Sequence, residues 1–148
     1  MTNEKDCIFC KILAGEAEVS LVYRDEVCAA FMDIQPVNPG HLIVIPNRHA
    51  AYLADLEEEE GAQIFRVAQR LAAALRHSGV KCEGVNFFLA DGEAAMQEVF
   101  HVHLHVIPRY PGDGFGFNFA PAYFQKPERH VLDEVAGKIR SVLKNDAL

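Results

Sequence analysis

The clearest pattern along the chain is a helical one in its middle. Apolar residues recur there three and four positions apart, which places them on one face of an α-helix. Acidic residues precede this stretch and none occurs from Gly61 to Cys82, so the charges suit the helix dipole, and Gly79 is the predicted stop. The apolar positions are Ile64, Val67, Ala68, Leu71 and Leu75, and the acids are Asp55 and Glu57 to Glu60.

Short apolar runs before and after this helix predict a sheet. Three precede it and are separated by turn residues, which favours meandering antiparallel strands; two more follow. A second helical pattern opens at Pro127 and continues through Val142. The fold class is therefore α+β, with an antiparallel meander sheet and two main helices. The predicted strands are Leu21–Arg24, Val27–Asp33, His41–Pro46, Gly84–Ala90 and Phe100–Pro108.

The length and charge of the chain narrow the function classes. Its 148 residues predict one domain over residues 1–148, and its net charge of −7 argues against broad binding of nucleic acid. No segment approaches the ~20 apolar residues that cross a bilayer, and the first residues do not resemble a secretory signal. We therefore expect a cytoplasmic protein with no membrane and no nucleic-acid partner. The aromatic segment Tyr110–Tyr123 is expected to fold over an edge or to form a dimer contact.

Three histidines alternate with apolar residues in the segment from His101 to His105. Because residues i, i+2 and i+4 share one face of a strand, the imidazoles of His101, His103 and His105 are predicted on one side. The row suits either a metal site or nucleophilic catalysis by one ring. Neighbouring residues on one face lie about 6.5–7 Å apart, which weighs against one metal taking all three rings. A neutral imidazole with a fixed tautomer is a good nucleophile toward a phosphoryl group.

Two cysteines near the start, Cys7 and Cys10, have a spacing at which two thiolates can share a metal. Two other interpretations stay open at this point: a redox pair, and two buried cysteines without a ligand. A redox pair of the thioredoxin type needs a preceding strand and a following helix of a βαβ unit, and no such strand precedes Cys7.

The order of these motifs resembles the histidine triad (HIT) family. The match extends over most of the chain. It includes Cys7-Ile-Phe-Cys-Lys-Ile, Phe31-Met-Asp-Ile-Gln-Pro, Pro39-Gly-His-Leu-Ile-Val-Ile-Pro, Gln97-Glu-Val-Phe and His101-Val-His-Leu-His-Val-Ile. The resemblance implies a HIT-like fold, a homodimer, and a nucleotide hydrolase or transferase. Its substrates would be purine nucleotide derivatives of the AMP or GMP kind, either nucleoside phosphoramidates or dinucleoside polyphosphates cleaved at the α-phosphate.

The resemblance also implies catalytic roles for three histidines. His103 would attack the α-phosphorus and form a covalent nucleotidyl-histidine that water hydrolyses. His105 would contact the phosphate or the leaving group, and His41 would complete the polar network.

Nucleotide-binding roles are implied for four further positions. Asp33 would bind the ribose hydroxyls, although a strand-end turn residue is the other interpretation. Gln97 and the backbone N–H groups from Gln97 to Val99 would hold the phosphate. Asn86 would serve the loop or the phosphate, or be a buried structural residue. Met96 stands where the family commonly has glycine, so the geometry of this loop is expected to differ.

A zinc site follows from the same resemblance. Such a Cys-x-x-Cys pair binds zinc with two histidines, whose positions here are His49 and His101. Four ligands leave no open position, so the zinc would be structural, and no organic cofactor is expected.

A hypothesis of another class is a nucleotide-binding regulatory or scaffold protein whose catalysis is incidental. In either case the nucleotide must be captured locally. The segment from His101 to Gly112 has no acid and includes Arg109, which predicts one face that accepts a small anion.

Overall fold

The computed structural model describes residues 4–146. It consists of a five-stranded antiparallel sheet with three helices, in the chain order α1, β1, β2, β3, α2, β4, β5, α3. The helices are α1 Ile8–Leu13, α2 Glu58–His77 and α3 Arg129–Asp146; the strands are β1 Leu21–Arg24, β2 Cys28–Met32, β3 Leu42–Pro46, β4 Gly84–Leu89 and β5 Leu104–Arg109. The α+β prediction, with one sheet and two main helices, is confirmed.

The strands lie in the order β1-β2-β3-β5-β4, and every neighbouring pair is antiparallel. The meander holds for the first three strands. β5 then lies between β3 and β4, so the last strand of the chain is an interior strand and β4 forms an edge. This order places the end of the histidine row on an interior strand of the sheet.

Helix α2 begins and ends as its charge pattern predicts. The N–H of Glu57 donates to Glu60 at its start, and the Ser78 hydroxyl donates to the Leu75 carbonyl at its end. Gly79 follows with a φ of +82°, which suits a helix stop. The apolar face is buried against one side of the sheet, and it includes Ile64, Val67, Ala68, Leu71 and Leu75.

The two faces of the sheet carry different cores. On the α2 face, alternate residues of β2, β3 and β5 pack against the helix, among them Ala30, Val44 and Val106. On the opposite face, here called the α1 face, Phe31, Ile43 and Ile45 pack against Cys7 and Phe9 of the N-terminal segment. Each fully buried aliphatic or aromatic side chain stabilises the fold by about 1.5–3 kcal/mol. The α1 face is also the one on which His105 stands, since His105 pairs with Ile43.

The prediction of a strand over residues 100–108 is wrong at its start. β5 begins only at Leu104, because β3 and β4 both make their last pairs with that residue. His101 and His103 therefore precede the ladder. The N–H of Val102 donates instead to the carbonyl of Ala50, in the loop after β3.

Contacts between residues divide the chain into two compact units, Met1–Phe115 and Gly116–Leu148. The first contains the sheet, α1 and α2; the second contains a short 3-10 turn at Pro121–Phe124 and α3. In the second unit the rings of Phe119 and Tyr123 stack with centroids 3.8 Å apart. The single domain over residues 1–148 stays a prediction, and its ends, residues 1–3 and 147–148, lie outside the described residues. Over residues 4–146, none of the helices combines the length and apolar content that crossing a membrane requires.

Candidate active site

The three histidines of the row have different neighbours. His101 is fully buried and His103 is 7% exposed, whereas His105 is half-buried. The His103 and His105 rings are 4.9 Å apart at their centroids, as residues on one face should be. The Phe9 ring lies edge-on to both His101 and His103, at 5.8 and 5.2 Å. The row therefore joins two different surroundings, with His103 between them.

The tautomer of His103 is fixed by the backbone. Its Nδ1 lies 2.7 Å from the carbonyl oxygen of His101, and because a carbonyl only accepts, Nδ1 carries the proton. The lone pair is then on Nε2. Burial lowers the pKa of His103, so the ring is neutral near pH 7. A neutral imidazole with its lone pair on Nε2 is a nucleophile that needs no separate activating base.

His101 belongs to a cluster of four potential metal ligands. Its Nδ1 lies 3.5 Å from Cys7 Sγ and 3.6 Å from Cys10 Sγ, and Cys10 Sγ lies 3.3 Å from His49 Nδ1. All four ligand atoms lie within 4.8 Å of one another. Tetrahedral Zn²⁺ with its usual bond lengths separates sulfur and nitrogen ligands by about 3.5 Å. The cluster therefore fits Zn²⁺ in both donor type and spacing.

The remaining nitrogen of His101 supports the same conclusion. Nε2 lies 2.9 Å from the carbonyl oxygen of Pro46 and must donate to it, which leaves the Nδ1 lone pair facing the two sulfurs. Metal-bound histidines commonly donate their second ring N–H in this way. Burial lowers the pKa of His101 to about 4 and raises that of Cys10 to about 12. The Cys10 thiolate thus forms when a cation replaces its proton.

Local sequence holds each of these ligands in place. Cys7 directly precedes α1 and Cys10 lies in its first turn, so both sulfurs lie at the start of one short helix. His49 lies in the loop after β3. The N–H of Asn47 donates to the carbonyl of Val27, just before β2, and Arg48 joins the loop to α2 through bonds of 3.0 and 2.6 Å to Glu60.

His105 belongs to a second cluster, with His41 and Asp33. The N–H of Val37 donates to His41 Nδ1 at 3.0 Å, so the His41 proton is on Nε2. That Nε2 donates to His105 Nδ1 at 2.9 Å, which leaves the His105 proton on its own Nε2. Burial lowers the pKa of both rings, that of His105 to about 4. The backbone N–H of Val37 thus fixes the tautomers of both rings, and His105 Nε2 is a hydrogen-bond donor.

This second cluster suits a metal poorly. Asp33 Oδ2 lies 3.6 Å from His41 Nε2 and 3.7 Å from His105 Nδ1, so the three ligand atoms are close together. His41 Nε2, however, carries a proton and has no lone pair to give. Moving that proton to Nδ1 would bring it against the N–H of Val37. The hydrogen bonds of this cluster are those of a relay from the Val37 N–H through His41 to His105.

Gly40 permits the turn that delivers His41. Its φ is +98°, and a Cβ there would lie 2.7 Å from the Val80 side chain. The N–H of His41 donates to the carbonyl of Asn38, which closes the turn before β3.

His41, His103 and His105 line a cleft of about 560 Å³ on the α1 face. Asp33 and Val99 also line it. One wall is apolar and carries Ile8, Phe9, Ile12, Val19, Phe31 and Ile43. The cleft therefore offers an apolar surface beside imidazoles and a carboxylate, which is the usual composition of a small-molecule site.

Two further predicted residues lie outside the cleft lining. The Gln97 side chain is buried; its amide donates to the carbonyls of Ala51 and Val99 and accepts from the N–H of Gly92. Asn86 on β4 accepts a hydrogen bond from Arg109. Both side chains thus have structural contacts, and their nucleotide-binding roles stay predictions.

The expectation that Arg109 helps to accept an anion finds no support in its contacts. Its guanidinium makes two bonds to the Asp113 carboxylate, at 2.6 and 2.9 Å, and it does not line the cleft. Asp113 also accepts from Asn38, and these bonds lower its pKa strongly. The cation is therefore neutralised within the fold.

Several residues that line the cleft were not assigned to it by sequence analysis, among them Phe9, Met96 and Glu98. Phe9 lies between Cys7 and Cys10. Because these cysteines were expected to bind zinc together with His101, their position was the signal that Phe9 lies near the histidine row. Glu98 lies between Gln97 and Val99, two positions that were predicted to hold phosphate.

Comparison with known proteins gives three findings and a family match. A family model described as the HIT domain matches residues 14–112, which contain the three histidines of the row and His41. The chain is 43% identical over 141 residues to protein hit of Bacillus subtilis, covering 93% of this chain and 97% of that protein. It is 34% identical over 137 residues to adenosine 5'-monophosphoramidase hnt1 of Schizosaccharomyces pombe, covering 90% and 98%. A Zn-bound histidine triad family protein from Mycobacterium smegmatis has a TM-score of 0.73 at 42% identity, covering 80% of this chain and 86% of that one.

Proposed function

The chain belongs to the HIT domain family, and from that membership we propose that it is a nucleotide hydrolase or transferase acting at the α-phosphate through His103. Its substrates would be nucleoside phosphoramidates or dinucleoside polyphosphates. The relative from Schizosaccharomyces pombe is named for the first of these activities. The observation that carries the proposal is the hydrogen bond from His103 Nδ1 to the His101 carbonyl, because it puts the lone pair on Nε2 of a neutral ring.

The proposed reaction has two displacements. His103 Nε2 attacks the α-phosphorus, the bond to the leaving group breaks, and a nucleotidyl-histidine forms. Water then attacks the same phosphorus and releases the nucleotide and His103. Because His105 and His41 are neutral and a neutral imidazole is a very weak acid, His105 Nε2–H would stabilise the developing charge by hydrogen bonding. An amine leaving group would take the proton that it needs from solvent as the P–N bond breaks, and the attacking water would lose its proton to solvent in the second displacement.

The remaining site residues receive roles by position. Asp33, whose Oδ1 accepts from the N–H of Gln35, would bind the ribose hydroxyls with Oδ2. The apolar wall with Phe9 and Phe31 would hold a purine base. Backbone N–H groups around Val99 would hold the phosphate oxygens, together with Gln97 and Asn86 as further nucleotide-binding residues.

We propose that Cys7, Cys10, His49 and His101 hold a structural zinc ion. Zinc would supply a fixed cross-link between α1, the loop after β3 and the start of the histidine row. His101 would then be held through both ring nitrogens, by the metal and by Pro46. Because the carbonyl of His101 fixes the tautomer of His103, the metal site would position the nucleophile without contacting substrate.

We further propose a cytoplasmic homodimer. Helix α3 presents Val131, Val135 and Ile139 at helical spacing, and they are 42%, 48% and 58% exposed. An apolar stripe of this kind usually marks a contact surface. Light scattering should give twice the chain mass, and a monomer at all concentrations would contradict this part of the proposal.

The activity is tested with adenosine 5'-phosphoramidate and diadenosine tetraphosphate side by side. The wild type should hydrolyse at least one of them, and His103→Ala should lose turnover by about 10⁴-fold or more. His77→Ala is the matched control, since His77 is exposed on α2 and outside the cleft. Tight nucleotide binding without turnover of either substrate would favour the regulatory or scaffold function instead.

A further inference from the structure

The loop between β4 and the histidine row is held rigidly. Its buried Gln97 side chain makes three hydrogen bonds, to Gly92, Ala51 and Val99. The backbone N–H of Gln97 also donates to the Gly92 carbonyl, so residues 92 and 97 are joined twice. The backbone that carries Met96 and Glu98, two exposed residues that line the cleft, is therefore held in place.

Met96 shows how strongly the loop is constrained. Its φ is +68° and its ψ is +30°, and among residues 4–146 it alone has a positive φ without being glycine. Non-glycine residues in this region cost about 1–2 kcal/mol, and they persist where the surrounding bonds enforce them. The side chain is 73% exposed, so buried contacts of its own do not explain the conformation. The hydrogen bonds of the neighbouring Gln97 explain it.

The charges in the cleft have one sign. Glu18, Asp33 and Glu98 contribute carboxylates, and neither lysine nor arginine occurs among the described residues that line it. The imidazoles of His41, His103 and His105 line it as well. A zinc ion with two thiolates and two imidazoles carries no net charge. Of the three carboxylates, only that of Glu98 is on the loop that leads into the histidine row.

We propose that Glu98 is a specificity-determining residue that selects against ligands with more than one phosphate and so favours substrates whose leaving group is neutral or cationic, such as an amine. The proposal rests on the proposed function, since it assigns the α-phosphate to His103. It deepens that function by choosing phosphoramidates over dinucleoside polyphosphates.

The physical reason is repulsion without compensation. One phosphate can be held by imidazoles and backbone N–H groups. Each added phosphate brings further negative charge into a cleft that is lined by carboxylates and by neither lysine nor arginine among the described residues. Two like charges about 7 Å apart at an intermediate dielectric change affinity by about tenfold. An amine leaving group meets no such penalty, and a protonated one is attracted.

Binding measurements test this without turnover. The probes are AMP and α,β-methylene-ATP, which cannot be cleaved at the α-phosphate, titrated calorimetrically without divalent cations. The wild type should bind AMP about tenfold more tightly than the ATP analogue. This difference in affinity, here called the gap, should become smaller when salt is added. Glu98→Gln should reduce the gap threefold to tenfold, mainly by raising the affinity for the ATP analogue, and Glu98→Asp should restore the gap. Glu93→Gln is the matched control: it removes the same charge from the same loop at a residue outside the cleft, and should leave the gap unchanged.

Each outcome is decisive. Equal affinities in the wild type, absence of AMP binding, or an unchanged gap in Glu98→Gln would overturn the assignment. An equal effect in Glu93→Gln would also overturn it, because net charge alone would then explain the result. If the gap behaves as expected but His103→Ala keeps full turnover, the selectivity stands and the proposed catalytic role of His103 fails.

Discussion

The two ends of the histidine row have similar spacing but opposite chemistry. At one end His101 meets Cys7, Cys10 and His49; at the other His105 meets His41 and Asp33. The difference lies in what the backbone does to the second ring nitrogen. Pro46 offers a carbonyl to His101 and so frees a lone pair for a metal, whereas Val37 offers an N–H to His41 and so keeps a proton in the cluster.

This comparison teaches that ligand spacing alone does not identify a metal site. Both clusters satisfy the same distance criterion. The hydrogen-bond partners of the histidines decide which cluster can bind a cation and which can relay a hydrogen bond to substrate.

The largest expected effect comes from removing the sulfurs. Cys7→Ser with Cys10→Ser should abolish zinc binding and lower the free energy of unfolding by on the order of 5 kcal/mol or more, because metal binding is coupled to folding. Metal analysis and thermal melts measure both. Cys82→Ser, outside the cluster, should keep its zinc and most of its stability. A double variant with normal zinc content would remove the basis for the comparison.

At the other end, His105→Asn should lower kcat by about 10²–10³-fold, since it removes a donor aimed at the developing charge. His105→Gln places an N–H near the position of Nε2 and should lose less. Zinc content should be normal in both variants. Loss of zinc on changing His105 would show that the two clusters are not independent.

The pH dependence of stability tests whether His105 is buried as a neutral ring. His105 has a folded pKa of about 4 against its usual 6.5. Between these values the unfolded chain binds the proton and the folded chain does not, so the free energy of unfolding falls as pH drops from 6.5 toward 4. The slope from one such group is at most about 1.4 kcal/mol per pH unit. Denaturant melts should show a shallower slope in His105→Asn than in the wild type, and His77→Asn should not change it. Equal slopes in all three would contradict the burial of a neutral His105.

The smallest effect concerns the loop before the row. Met96→Gly should raise the free energy of unfolding by about 1 kcal/mol, because glycine adopts a φ near +68° without strain. Met96→Ala keeps the strained backbone and should not stabilise. Destabilisation by glycine would mean that the Met96 side chain supports the loop through its own contacts.

Sequence analysis predicted the elements better than their arrangement. The spacing and charges of α2 predict it closely, since a helix depends on local residues. The position of β5 between β3 and β4 depends on long-range pairing, which no local pattern reveals. For the same reason the alternation through His101 and His103 predicted a strand, whereas the N–H of Val102 bonds to Ala50 in the loop after β3.

In the site, too, local residue patterns were predictable and long-range backbone contacts were not. The residue types and spacing of His101, His103 and His105 predicted three rings on one face with different partners. The backbone groups that fix their tautomers, the N–H of Val37 and the carbonyls of Pro46 and His101, have no signature in side-chain identity. Arg109 was expected to serve an anion because it follows the row; its engagement by Asp113 depends on a turn that only the fold reveals.

The central claim is that His103 forms a covalent bond to phosphorus, and stereochemistry tests it most directly. A phosphoramidate made chiral at the α-phosphorus with isotopic oxygen is hydrolysed in isotopically labelled water, and the configuration of the product is determined. Each in-line displacement inverts phosphorus, so the two displacements proposed here give overall retention. Overall inversion would mean direct attack by water and would contradict a nucleotidyl-histidine at His103.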